Sequence, residues 1–288
     1  MLSQDERFLI GLKVLERLKP SLRGRQNYAN PPLSPELAVE DSAGVAPSSL
    51  LRESPSLAAL LRDTGPLSPY SVILGTCEDG LPFLLDLTNP APGALLIIGD
   101  AHSGKSRLLR SILASATLLN PPDQVVFSLV TRDDNDFSGI IQAENCQEVF
   151  FSYERPGSEL VVSLAEEVER RRRGQTAQPA VILAIDDLAA FMQYMDNGVL
   201  SCFYSLLRHG PRSQVWTIAT LLPDEAALID ERMLSAFRTR LIGSIASADD
   251  AAFLAGGPHS GAESLPAGYQ FCVPFGEEWI RFWICNAE

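Results

Sequence analysis

Apolar and polar positions follow two alternating rhythms from residue 71 onward. "SVILGTC" and "LPFLLDL", separated by Glu78-Asp79-Gly80, predict a hairpin closed by an Asp-Gly turn. Short apolar runs bounded by turn residues then predict buried strands at 94–98 ("ALLII"), 124–130 ("QVVFSLV"), 180–186 ("AVILAID"), 214–220 ("QVWTIAT") and 239–245 ("TRLIGSI"). Between them the spacing becomes helical. Leu108, Leu109, Ile112 and Leu113 predict a helix leaving Lys105 and stopping at Asn120-Pro121-Pro122. Further helices are expected near 158–172 and 188–207, and a terminal hairpin around Pro274-Phe275-Gly276. Strands alternating with helices imply an α/β fold, a mainly parallel sheet covered by helices on both faces.

The first part of the chain reads differently. Phe8, Leu12, Leu15 and Leu18 mark a helix over 4–19 that Pro20 ends, and a stretch rich in Pro, Ser, Asn and Gly follows without a period. A short helix is expected around Leu57 to Leu61. We therefore expect a small helical N-terminal appendage at 1–66, able to dock on the core or on a partner protein, and a single α/β domain at 67–288. The opening "MLSQDERFLIGLKVLE" has early acidic residues and Lys13 inside its apolar run, so it lacks signal-peptide order and spanning length. A cytoplasmic location with no direct membrane insertion is the expectation.

Composition narrows the chemistry. A chain of 288 residues with 46% hydrophobic content can bury a full core. Cys77, Cys146, Cys202, Cys272 and Cys285 show no metal-binding spacing, and His102, His209 and His259 are equally dispersed. The net charge of −13 lowers the expectation of nucleic-acid binding without excluding it, because a ring can confine its basic residues to a channel.

"LLIIGDAHSGKSRLL" (95–109) carries the most specific pattern. Gly99-x-x-x-x-Gly104-Lys105-Ser106 has the spacing of a phosphate-binding loop, between a predicted strand and a predicted helix. Backbone N–H groups along Gly99, Asp100, Ala101, His102, Ser103, Gly104, Lys105, Ser106 and Arg107 would cradle the phosphates of a nucleotide, Lys105 would reach the terminal ones, and Ser106 would hold Mg²⁺. His102 occupies a position the pattern leaves free. Beyond residue 19 the only lysine is Lys105; every other basic position is Arg. A compact ammonium suits a phosphate clasp where a planar fork does not.

Such a loop needs a carboxylate for Mg²⁺ and a group to orient water. Asp186 and Asp187, at the end of "AVILAIDD", stand where parallel sheets place their ligands. Asp186 would serve the metal and Asp187 the attacking water. The same pair also suits the start of a helix at "LAAFMQYM".

With these pieces in order, residues 71 to 283 resemble the motor domain of the FtsK/SpoIIIE-type ATPases, relatives of HerA. The resemblance rests on the hairpin from Leu74-Gly75 to Asp86-Leu87, on Val168-Glu169-Arg170-Arg171-Arg172, on Ser213 to Leu221, and on Arg238-Thr239-Arg240-Leu241-Ile242-Gly243. It implies a RecA-like P-loop NTPase that assembles as a homo-oligomer, a hexameric ring, and moves double-stranded DNA at the expense of ATP. A protein-secretion coupling ATPase of the EssC/EccC kind, or a nucleotide-binding scaffold of low turnover, are the alternatives. In the family pattern Arg240 would act on a neighbour's nucleotide, with Arg208 or Arg212 as substitutes. The run Arg170 to Arg173 either faces DNA or a neighbour, or is a solvated helix end complementing the macrodipole. Three positions depart from the family: Asp187 replaces Glu, Leu221 replaces a polar Gln, and Gly210 replaces an Arg.

Overall fold

A computed structural model of the chain describes residues 56–64, 66–174, 178–256, 260–275 and 278–286. The expected helix over 4–19 and the stretch after it lie outside these residues. Among the described residues, the parallel strands are β3 (Ala94–Ile98), β4 (Val125–Thr131), β5 (Cys146–Phe151), β6 (Ala180–Ile185), β7 (Val215–Leu221) and β8 (Phe237–Ile242). The hairpin β1 (Ser71–Cys77) and β2 (Pro82–Asp86), with the terminal hairpin β9 (Gln270–Phe275) and β10 (Glu278–Trp283), extends them antiparallel beyond β8. All join one sheet in the order β2-β1-β10-β9-β8-β3-β7-β6-β4-β5.

Because both faces are covered, β3, β4, β6 and β7 are buried along their whole length, which is why their sequences read as apolar runs broken only by Ser and Thr. Alternate residues face opposite ways. Leu95 and Ile97 join one cluster with Leu108, Leu109, Ile112 and Leu113 of α2 (Lys105–Leu119), and with Leu57 and Leu60 of α1 (Leu57–Thr64). Leu96 and Ile98 face the other cluster. There they meet α3 (Pro156–Arg172), α4 (Leu188–Met192), α5 (Asn197–His209), α6 (Glu231–Ala236) and α7 (Ala248–Ala255). Trp216 on β7 is fully buried, and its indole N–H donates to Leu87 O at 3.1 Å. Truncating a side chain of this kind costs about 3–5 kcal/mol.

Three local expectations change. The helix expected over 188–207 is two helices, because Asp196 stops the first run and caps α5, accepting from Gly198 N and Val199 N at 2.8 and 2.9 Å. Edge strand β5 was not predicted: its sequence "CQEVFF" alternates poorly and its side chains are only half-buried. Helix α7, also unforeseen, is too short to show a period, but Ser247 caps its start and Gly256, at φ 75°, ends it.

Helix α1, which the sequence assigns to the appendage, packs on the core through Leu57 and Leu60, and Leu57 N donates to Asn286 O at 2.8 Å. The stop signal of α2 has a second role. Buried Asn120 accepts from Tyr70 N at 2.8 Å and donates to Ser71 O and Ala116 O at 3.0 and 3.1 Å, tying the helix end to β1. Asn120→Ala leaves buried backbone groups without partners and is expected to destabilise the protein by about 2–3 kcal/mol, read as a lower denaturant midpoint at unchanged slope. A loss below about 0.5 kcal/mol would show that this tie contributes nothing beyond a surface contact.

Candidate nucleotide site

The loop between β3 and α2 is fixed from below. Asp100 N donates to Ser244 O at 2.9 Å, the Asp100 carboxylate accepts from Ala246 N at 2.7 Å, and Gly268 N donates to Ser103 O at 3.0 Å. Two glycines make the close turn possible. A Cβ on Gly99 would lie 2.5 Å from Ser103 Oγ, and Gly104 has φ 94° with its α-hydrogen side against Gly268. His102 also takes a left-handed conformation, at φ 62°. Gly104 gives α2 no side-chain cap, and its first turn has no acidic residue, so the unpaired N–H groups of a 15-residue helix face outward where an anion can meet them.

Lys105 curls over this loop, its Nζ donating to Gly99 O and Asp100 O at 2.9 and 2.8 Å. Burial lowers its pKa, while Asp186, Asp100, Glu225 and Asp187 act to raise it. Arg107 turns aside: its guanidinium donates to Gly268 O at 3.1 Å and to Asn286 Oδ1, and lies 4.9 Å from the centre of the Tyr269 ring. With Ala267 and Gly268 these residues wall a cleft of about 470 Å³ beside the loop.

The carboxyl end of β6 faces the loop, as its sequence placement requires. Ser106 Oγ lies 3.0 and 3.1 Å from the two carboxylate oxygens of Asp186, and Thr220 Oγ1 donates to Asp186 Oδ1 at 2.9 Å. Burial raises the pKa of Asp186, against the lowering by the Thr220 and Ser106 hydrogen bonds. Thr220 also accepts from Asp187 N at 2.8 Å, so one hydroxyl of β7 holds both acidic residues in place. Asp187 caps α4, accepting from Ala190 N at 2.9 Å, and its other oxygen is 2.9 Å from Arg132 Nε. Both uses foreseen for Asp187 thus begin from one position: it starts a helix and borders the loop.

Thr220, Arg132 and Glu225 were not singled out from the sequence. Thr220 is the last polar residue of its apolar run, a signal that a parallel strand ends in chemistry. Arg132 and Glu225 carry no local pattern. Arg240 is not brought to the loop. It pairs with Leu96 in the middle of the sheet, and its guanidinium donates to Leu254 O at 2.7 Å and Leu234 O at 3.3 Å, the carbonyls near the ends of α7 and α6.

A family model described as the FtsK/SpoIIIE family matches residues 68–173, from the first hairpin through the phosphate loop to the arginine-rich end of α3. The fold, a mainly parallel sheet flanked by helices as in RecA-like P-loop ATPases, is shared with solved structures at low identity. EssC (ATPases 2 and 3) from Geobacillus thermodenitrificans superposes with TM-score 0.63 at 15% identity, over 78% of this chain and 48% of that one. EccC (ATPases 2 and 3) from Thermomonospora curvata, in complex with a signal sequence peptide, gives 0.62 at 20% over 85% and 43%. The pCW3 conjugation coupling protein TcpA, in monomer form with ATPγS, gives 0.60 at 18% over 77% and 67%. The chain thus spans less than half of the EssC and EccC chains. No curated protein matches it.

Two departures from the FtsK/SpoIIIE pattern have structural reasons. Leu221 is 1% exposed within the core cluster, so its side chain is packing, and the polar group at that strand end is the Thr220 hydroxyl. Gly210 begins the turn into β7, where a Cβ would lie 2.4 Å from Val215 O. Gly210→Ala is therefore expected to lower stability by about 1–3 kcal/mol through overpacking, measured by urea unfolding. Unchanged stability would mean that the turn yields freely and that an Arg could have stood there.

Proposed function

We propose that the chain is an ATP-driven motor unit of the FtsK/SpoIIIE type. The observation that carries this is the convergence of Ser106 and Thr220 on Asp186, directly beside Lys105 and the open N-terminus of α2. The phosphates of ATP bind along Gly99 to Ser106. Lys105 leaves the carbonyls of Gly99 and Asp100 for the terminal phosphates, which its flexible stem allows. Mg²⁺ fits the facing oxygens of Ser106 and Asp186, a donor set of the hard kind that this ion takes. When bound, the ion neutralises charge on the terminal phosphates. Asp187 orients a water: its oxygen bonds to the γ-phosphorus, the bond from that phosphorus to the bridging oxygen breaks, ADP leaves with the electron pair, and the water's proton passes to the carboxylate and on to solvent.

Work as a ring, a hexamer by resemblance, accompanies this function. For Arg240 to reach a neighbour's nucleotide it must first release Leu254 O and Leu234 O. Duplex DNA is the polymer favoured here, supported by a basic surface on an otherwise acidic molecule. Arg172, Arg208 and Arg212 are exposed around His209, whose pKa is lowered first by burial and then by these three charges. Arg170 and Arg173 are exposed beside them, whereas Arg171 is buried and donates to Ser213 O and Pro179 O at 3.0 and 2.9 Å. This surface adjoins the N-terminal ends of β6 and β7, roughly 20 Å of strand away from the phosphate loop. A polypeptide cargo is the second reading, favoured by the net charge of −13.

Lys105→Ala is expected to abolish binding of a fluorescent ATP analogue; unchanged affinity would remove the nucleotide site. Replacing Arg172, Arg208 and Arg212 together by Gln is expected to weaken duplex DNA binding and to lower the slope of log affinity against log salt by about 3, one unit per phosphate contact. Finding no DNA binding at low salt, with ATP binding intact, would favour polypeptide cargo.

A further inference from the structure

Both carboxylate oxygens of Asp187 have a partner in this structure. Oδ1 accepts from Ala190 N at 2.9 Å, Oδ2 lies 2.9 Å from Arg132 Nε, and the carboxylate side chain is 18% exposed. Its backbone is held at φ 81° and ψ 80°, a left-handed conformation that favours glycine and costs about 1–3 kcal/mol in any other residue. The Thr220 hydrogen bond to its N–H, the helix cap and the Arg132 ion pair together hold that strain. Each oxygen keeps a second lone pair, but with both tied the carboxylate is fixed in one orientation, and the Arg132 charge draws on the oxygen that would take a proton. Of the three ties, the Arg132 pair alone is made by an exposed side chain: Arg132 leaves the end of β4, next to β6 in the sheet, with its side chain 59% exposed.

A second carboxylate feels the same guanidinium. Glu225 lies in the turn Asp224–Leu228 that follows β7, and its ionisation responds to burial first, then to Asp187 and to Arg132.

We propose that Arg132 is a positioning residue that holds Asp187 away from the attacking water in the resting protein, and that release of its exposed guanidinium frees Asp187 for turnover. This rests on the nucleotide reading above. It gives the short Asp187 side chain a second role. Where a longer carboxylate would extend past Arg132 toward the phosphate, Asp187 reaches either the restraint or the water.

The test is steady-state turnover of Mg·ATP, beside binding of a fluorescent ATP analogue, in wild type, Arg132→Ala, Arg132→Lys and Arg132→Ala/Asp187→Asn. Arg132→Ala is expected to raise kcat about tenfold with KM within about twofold, a recovery of part of the hundredfold that ångström-scale misplacement costs. Arg132→Lys, which keeps a cation in reach of Asp187, should stay nearer wild type. The double variant should lose the gain, because without a carboxylate at 187 there is nothing to release. An unchanged or lower kcat in Arg132→Ala overturns the proposal, and so does a gain that survives in the double variant. ATP binding without turnover in both wild type and Arg132→Ala overturns it while leaving the nucleotide site standing. Absence of ATP binding in wild type removes the nucleotide reading and this proposal with it.

Discussion

Hydrogen bonds meeting on the Asp186 carboxylate join the parts of the molecule that a phosphate-binding loop alone would leave separate. Ser106 brings the first turn of α2, Thr220 brings β7, and Asp186 itself ends β6. These elements come from distant parts of the chain, and the sheet order places β7 between the loop strand β3 and the acidic strand β6. A hydroxyl on the middle strand can therefore reach the carboxylate of the outer one. A buried carboxylate is costly unless it is hydrogen-bonded. Here the hydroxyls that reduce that cost belong to the same loop and strand that border the phosphate site, so stability and chemistry act on one group.

The apolar runs made most strands legible, because strands buried on both faces are mostly apolar, with only small hydroxyl residues such as Ser128, Thr217 and Thr220 among them. The phosphate loop was legible for a similar reason. Its glycines are demanded by contacts of 2.5 Å and 2.9 Å that no side chain could tolerate, and only a few residue types satisfy such a turn. What the sequence left dark was whatever depends on distant partners. Strand β5 is half-exposed at the sheet edge and has no clean period. Arg132 and Thr220 gain their meaning only when β4, β6 and β7 lie side by side. The break at Asp196 was written in the sequence as Asp-Asn-Gly, a cap signal that an apolar pattern running across it obscured.

Charge is distributed with the same logic. Acidic groups gather around Lys105 at the carboxyl ends of the strands, where Asp100, Asp186, Asp187 and Glu225 all influence its ionisation. Exposed arginines gather at the opposite end, where helices α3 and α5 finish and the helix macrodipole favours positive charge. Part of that clustering is therefore ordinary helix chemistry. What helix chemistry does not require is that Arg212, in the turn beyond α5, should add to it. A molecule with net charge −13 can thus still present one surface to a polyanion.

The claim that Asp186 and Ser106 form a metal seat completed by nucleotide is met most directly by electron paramagnetic resonance of Mn²⁺, standing in for Mg²⁺, titrated into the protein with and without a non-hydrolysable ATP analogue. The account predicts tight Mn²⁺ binding only when the analogue is present, lost in Asp186→Asn. Mn²⁺ binding that ignores the analogue, or that survives Asp186→Asn unchanged, would contradict it.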